Sequence, residues 1–165
     1  MLIHGRNKQK LADSEAQLKA LNTGSVYSYL ADLTQVSQLA EQILAEHQHF
    51  DVLINNSGVF KTPVSQTAAG LDLRFVVNTL APYLLTQLLM PIFDTQSRVV
   101  NLSSAAQDSV DFAALRGEKP LEAMLAYAQS KLAITIWSKH MAEQANSPVV
   151  IAVNPFAPAA NMSCN

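Results

Sequence analysis

Five short apolar runs recur along the chain with wide gaps between them, and this spacing constrains the fold more than any single residue does. LIHG (2–5), SVYSYL (25–30), DVLINN (51–56), RVVNLSS (98–104) and VVIAVN (149–154) are separated by segments of roughly 20–45 residues. Hairpin loops need only a few residues, so gaps of this size carry crossovers, each long enough for a helix. Their composition agrees: 8–21 and 34–47 place leucines at helical intervals, 70–93 is strongly apolar, and 121–145 is rich in Ala, Leu and Ile. Crossovers make neighbouring strands parallel, and strands covered on both sides read as near-continuous apolar runs. The pattern predicts an α/β fold, a doubly wound, mostly parallel sheet with helices on both faces. The polar stretch 105–120, AAQDSVDFAALRGEKP, closed by Pro120, is expected to be a long loop.

With 165 residues, 49% of them hydrophobic, the chain is the size of one domain. A formal net charge of −2 and a pI near 6.0 leave no electrostatic footprint for nucleic acid, and no Lys/Arg run marks a membrane surface. The single cysteine, Cys164, excludes an intramolecular disulfide and fits a reducing cytoplasm. No His/Cys cluster has metal-ligand spacing. The N-terminus, MLIHGRNKQK, holds too short an apolar run for a signal peptide, and the longest apolar stretches are interrupted by Pro82, Pro91 or polar residues, so no membrane span is expected.

In a parallel sheet of this kind, ligands sit beyond the carboxyl ends of the strands, so the polar residues just after each run carry the chemistry. Asp32 follows YL, Asn55, Asn56 and Gly58 follow VLI, and Ser103 and Ser104 follow VVNL. On the helical segment AYAQSKLA, Tyr127 and Lys131 stand at i and i+4 and leave the same helix face. Alone, such a pair is a surface tyrosine beside a solvated lysine. Together with YLADL, NNSG and LSS in this order, it resembles the short-chain dehydrogenase/reductase superfamily: YAQSK matches Y-x-x-x-K, NNSG matches N-N-A-G, LSS the strand of the catalytic serine, and ADL the adenine-pocket aspartate. The resemblance runs from residue 2 to about residue 155.

That resemblance implies a Rossmann-like sheet and a hydride transfer between a nicotinamide and a carbonyl or alcohol, a small-molecule partner. Reducing a ketone needs a positioned acid, and a free phenol, near 10, is too weak. Lys131 on the same face, with an oxidised nicotinamide nearby, favours the phenolate, which makes Tyr127 the acid/base. By the same resemblance Lys131 also holds the nicotinamide ribose, and Ser104 donates to the substrate oxygen; the other reading of Ser104 is a hydroxyl ending a strand. Asn78 has an argument of its own. Pro82 lies four residues on and has no N–H, so the Asn78 carbonyl is left without its helical donor and the helix is expected to kink. In the family that carbonyl holds a water; otherwise Asn78 merely caps the kink.

For the cofactor, the place just after the first strand reads HGRN, with no carboxylate before Asp13. Arg6 offers a guanidinium fork suited to a phosphate, which favours NADP(H) over NAD(H), unless it is only a surface charge. Asp32 and Leu33 then face the adenine, and Asn55 lines the groove or simply ties adjacent strands. Ser104 and Tyr127 lie 23 positions apart, an interval that resembles the retinol-dehydrogenase-like and protochlorophyllide-reductase-like branch, which implies bulky apolar or carbonyl-bearing substrates.

The chain departs from the family pattern at both ends. The glycine-rich turn T-G-x-x-x-G-x-G, which receives the pyrophosphate, is not among its five scattered glycines, Gly5, Gly24, Gly58, Gly70 and Gly117. In the family order the strand before that turn is central, so 2–5 and 51–56 are expected to flank an unfilled slot. After VVIAVNP, Phe156 and Ala160 stand where the family has glycine and threonine, and the last family strand is not seen. The expectation is an incomplete sheet over 1–155 and an atypical tail over 156–165. Two uses of such a chain follow: an NADP(H)-dependent oxidoreductase in shortened form, or an inactive truncated form that serves as a subunit-association or binding module. The segments 70–93 and 121–145 are the expected homodimer face.

Overall fold

The computed structural model describes residues 1–155, so the expectations for Phe156, Ala160, Cys164 and the tail lie outside the described residues. Strand β1 (Leu2–Gly5) ends where Asn7 takes over as helix cap, its Oδ1 accepting from the Lys10 amide at 3.0 Å, and α1 (Lys8–Ala20) follows. Asn22, in the left-handed region at φ 51°, follows that helix, and the chain returns as β2 (Tyr27–Leu30), shorter than the run that signalled it. Asp32 caps a 3₁₀ turn (Leu33–Gln35) that leads into α2 (Val36–Glu46), and β3 (Val52–Asn55) comes next.

The apolar segment 70–93 is one helical run with three changes of pitch. It comprises α3 (Leu73–Phe75), a π-helical turn (Val76–Leu80), α4 (Ala81–Leu89) and a 3₁₀ turn (Met90–Ile92). The expected kink at Pro82 is thus taken up by the wider turn just before it, in which the Ala81 N–H reaches back to the Val76 carbonyl. By length and composition Leu73–Ile92, with mean hydropathy 1.4, could cross a membrane, contrary to the expectation from sequence; 56% of it is buried inside the fold. Then come β4 (Arg98–Leu102), α5 (Phe112–Leu115), α6 (Ala123–Ala142) and β5 (Val149–Val153). The helix α5 interrupts what the sequence presents as one loop; Asp111 caps it by accepting from the Ala113 and Ala114 amides. Gly117, at φ 77°, lies so close to the chain just before α3 that an added Cβ would meet the Gly70 carbonyl oxygen at 2.8 Å.

Every strand pair is parallel, as the crossovers require, but the strands form two sheets, β1-β2 and β3-β4-β5. Leu2 stands opposite Tyr27, and Val52, Arg98 and Val149 share one row. Between β1 and β3 lies a cavity of about 550 Å³, with Leu2, Ile3 and His4 on one side and Val52, Leu53 and Ile54 on the other. This is the slot anticipated from the sequence. Below it, Leu39, Ala40 and Ile43 of α2 pack on Ala81, Leu85 and Leu89 of α4, with Leu2 and Leu53 resting on that cluster. The two sheets are therefore joined through a helical layer.

Helices on both faces hold for β1-β2 alone among the described residues. Ser28 points to Glu15 of α1 while Tyr29, the next residue, is buried against α2, and successive strand side chains take opposite faces. On the larger sheet the face bearing Val52, Ile54, Val149 and Ile151 has no helix over it, and these four side chains are exposed. The expectation of a sheet covered on both sides is corrected to that extent.

Candidate active site

Helix α6 places Tyr127 and Lys131 on one face, as a spacing of four demands, and the Lys131 ammonium stands 5.8 Å from the phenol ring centroid. Lys131 is buried, with 5% of its surface exposed, and Nζ donates to the Leu102 carbonyl at 2.6 Å, the last residue of β4. Burial holds its pKa below the ordinary lysine value. The same strand end is fastened to α6 a second time: Ser103 Oγ donates to the Lys131 carbonyl at 2.8 Å and shares a bond of 2.7 Å with Thr135 Oγ1. Ser103 is thus the structural member of the serine pair.

Ser104, two residues past the end of β4, is half-buried, and its Oγ accepts from the Ala106 amide at 3.2 Å. Among the described residues Ser104 and Tyr127 share no hydrogen bond; Leu102 and Lys131 link their elements. Tyr127 is half-buried, and its ring meets Phe60 edge-on at 5.2 Å between centroids.

Asn78, on the π turn, has no surface in contact with water. Its Oδ1 accepts from the Val59 amide at 2.7 Å, and its Nδ2 donates to the Val59 carbonyl at 2.9 Å and to Ser130 Oγ at 3.0 Å. The sequence assigns Asn78 a task for its main-chain carbonyl, whereas here the side chain is fully engaged in pinning the loop after β3 to α6. Asn55 likewise ties strands: Nδ2 donates to Asn101 Oδ1 at 2.7 Å and Thr86 Oγ1 at 3.2 Å, and Asn101 in turn donates to Ser138 of α6 at 2.8 Å.

At the other end, Arg6 and Asp32 are exposed and line, with Leu33, Gly58 and Val59, a cavity of about 200 Å³. Asp32 accepts from the Thr34 amide at 2.8 Å and the Thr34 hydroxyl at 2.7 Å, bonds that hold its carboxyl below the usual range. Gly58 joins the two ends: a Cβ added there would lie 3.6 Å from Lys131 Nζ. The cavity at Arg6 thus reaches, at Gly58, the neighbourhood of Lys131, whose helix face carries Tyr127. The two places suit the two ends of a dinucleotide, a guanidinium fork at one and an ammonium beneath a phenol at the other. The middle faces the slot, where the described residues hold no glycine-rich turn.

Sequence reasoning passes over Phe60, Arg74, Asn101 and Ser138. Arg74 carries the one available signal, a charge set inside the apolar run LDLRFVV; the partners of the others lie far away in sequence.

The family model described as short chain dehydrogenase matches residues 1–163. Retinol dehydrogenase 11 of Mus musculus is 41% identical over 119 residues, 70% of this chain and 38% of that protein. Retinol dehydrogenase 12 of Bos taurus is 36% identical over 143 residues, 83% of this chain and 45% of the relative. The chain thus spans less than half the length of these relatives. Among solved structures, a metagenomic short-chain oxidoreductase in complex with NADP matches with a TM-score of 0.64 at 27% identity, over 86% of this chain and 63% of that one. The bulky-bulky ketone specific alcohol dehydrogenase of Comamonas testosteroni, at 23% identity and a TM-score of 0.71 over 99% of this chain and 65% of its own, shares the fold. By the family model that matches it, by its relatives and by its parallel α/β fold, this chain belongs to the short chain dehydrogenase family, on its retinol-dehydrogenase-like branch.

Proposed function

We propose that the chain acts in NADP(H)-dependent interconversion of a carbonyl and an alcohol, on a bulky apolar substrate. The observation that carries this reading is the buried Lys131 ammonium under the Tyr127 ring at the end of β4. When bound, the nicotinamide supplies or accepts the hydride. Tyr127 passes a proton between its hydroxyl and the substrate oxygen, and Ser104 donates a hydrogen bond to that oxygen as charge builds on it. Lys131 keeps a positive charge beside both groups. Arg6 favours the phosphorylated dinucleotide, since its planar fork matches a phosphate and no carboxylate stands nearby in sequence to accept from a ribose hydroxyl. The substrate class rests on the names of the relatives and on the wide interval between Ser104 and Tyr127. Cytoplasm is the compartment proposed, from cysteine usage alone.

The test is titration of the purified chain with NADPH, followed by nicotinamide fluorescence and by thermal melting. Saturable binding is expected, weaker for NADH and weakened for NADPH by Arg6→Ala. Tyr127→Phe is expected to lower turnover about 10²–10⁴-fold while affinity stays near that of the wild type. No binding at millimolar NADPH would overturn the reading, and equal loss of turnover and affinity would remove Tyr127 from its role.

A second reading is favoured by the unpaired edges of β1 and β3: a non-enzymatic subunit that associates through α4 and α6, where Tyr83, Leu84 and Ile136 are exposed and Tyr83 stacks edge-on against Trp137. Self-association without cofactor binding would support that alternative.

A further inference from the structure

The costliest polar feature outside the candidate site is an ion pair with almost no access to water. Arg74 Nη1 lies 3.1 Å from Asp72 Oδ2, and the two side chains are 6% and 14% exposed. Two charges withdrawn from water are unfavourable unless their remaining hydrogen-bonding capacity is used. Here it is used directionally. Asp72 Oδ1 accepts from the Arg74 amide at 2.8 Å, which pins the carboxylate at the start of α3, and Arg74 Nε donates to the Phe60 carbonyl at 2.8 Å.

Phe60 belongs to the irregular segment after β3, and its ring is the one that meets Tyr127 edge-on, at 5.2 Å and 62°. The preceding residue, Val59, is held at both backbone groups by Asn78, one helical turn beyond Arg74. The two grips reach Tyr127 by separate routes. Through Asn78 Nδ2 to Ser130 Oγ (3.0 Å), and from Ser130 Oγ to the Tyr127 carbonyl (2.7 Å), the first fixes the backbone of that residue. The second, through Arg74 and Phe60, bears on its ring. A helical tyrosine has more than one side-chain rotamer open to it, and a ring wall on one flank selects among them.

We infer that Arg74, braced by Asp72, is a positioning residue for Tyr127: by gripping the Phe60 carbonyl it sets the Phe60 ring against the phenol and so fixes where the phenolic oxygen points. Its catalytic meaning rests on the function proposed above, whereas the geometry can be tested without turnover. In the full chain labelled with ¹³C-tyrosine, the Tyr127 signal is identified by its loss in Tyr127→Phe. Phe60→Leu is expected to abolish the ring-current displacement of that signal. Arg74→Met, which keeps side-chain length and removes the guanidinium, is expected to move it in the same direction, with the Tyr27, Tyr29 and Tyr83 signals in place. Arg74→Lys moves it less, and Arg74→Met adds nothing on top of Phe60→Leu.

An unmoved Tyr127 signal in folded Arg74→Met, or equal movement of all four tyrosines, overturns the inference. If Arg74→Met does not fold, Asp72→Asn loosens the same pair and is read by the same criteria. Arg74 does not line the cavity at Arg6, so Arg74→Met is expected to weaken NADPH binding less than Arg6→Ala does. A wild-type chain that fails to bind NADPH ends the enzymatic reading alone, and the Tyr127 signal still decides the positioning role.

Discussion

Lys131 bears the energetic cost of the site. Burial lowers its pKa from the ordinary 10.5, so the unfolded chain binds that proton more tightly than the folded one. Below the folded pKa the fold therefore carries the cost of that buried charge, and the cost is relieved as pH rises through the depressed value toward 10.5. Comparison with Lys131→Met, which keeps the buried stem and drops the charge, isolates this contribution. Wild-type stability is expected to gain on the variant as pH is raised from neutrality toward 10.5, read from urea midpoints at the two ends of that range. A constant gap would show that the bond to Leu102, and not desolvation, decides the matter. Tyr127 and Lys131 were legible in the sequence because their relation is local, fixed by the pitch of one helix. Asn78 was legible in place, while the hold of its side chain on Val59 was not, since nothing in VVNTLAP reveals that its amide will meet that residue. The grip of Arg74 on Phe60 was hidden altogether, since it crosses 14 residues of irregular chain.

Among the elements, the buried amides form the seam that keeps β3, β4, α4 and α6 in register. Asn101 is fully buried, accepts from Asn55 and donates to Ser138. Asn101→Ala leaves a buried donor on Asn55 short of a partner and opens space between strand and helix. A loss of about 2–3 kcal/mol is expected by urea unfolding. Adding Asn55→Ala to Asn101→Ala is expected to cost clearly less than the sum of the two single changes; full additivity would separate these residues energetically. The strands themselves were readable from spacing, and α6 from its composition. The subdivision of 70–93 was not, because a proline announces a disturbed helix without saying whether a kink or a wider turn absorbs it. Helix α5 is four residues long, too short for any periodicity to show in a polar segment.

For the molecule as a whole, the parallel α/β plan and the unfilled slot were both foreseeable, the first from crossover lengths and the second from the absent glycine-rich turn. What covers each face was not, because Val and Ile look alike in sequence whether or not a helix lies over them. Since no strand ladder joins the two sheets among the described residues, their cohesion depends on Leu39, Ile43, Leu85 and Leu89 in the layer between α2 and α4. Leu39→Ala, at a residue 1% exposed, is expected to cost about 2–5 kcal/mol. Hydrogen exchange locates the loss: amides of β1 and β2 are expected to lose protection well before those of β4, and uniform loss would show that the halves unfold as one unit.

The molecule is thus two leaves bound along a single spine, with the fore-edge open between β1 and β3. Arg6 sits on one leaf and Lys131 on the other, so any ligand long enough to touch both works as a clasp. The free energy that holds the leaves shut and the free energy with which such a ligand is held are then linked: a bound clasp adds to their cohesion, and its affinity falls once the spine is loose enough for the open form to be populated.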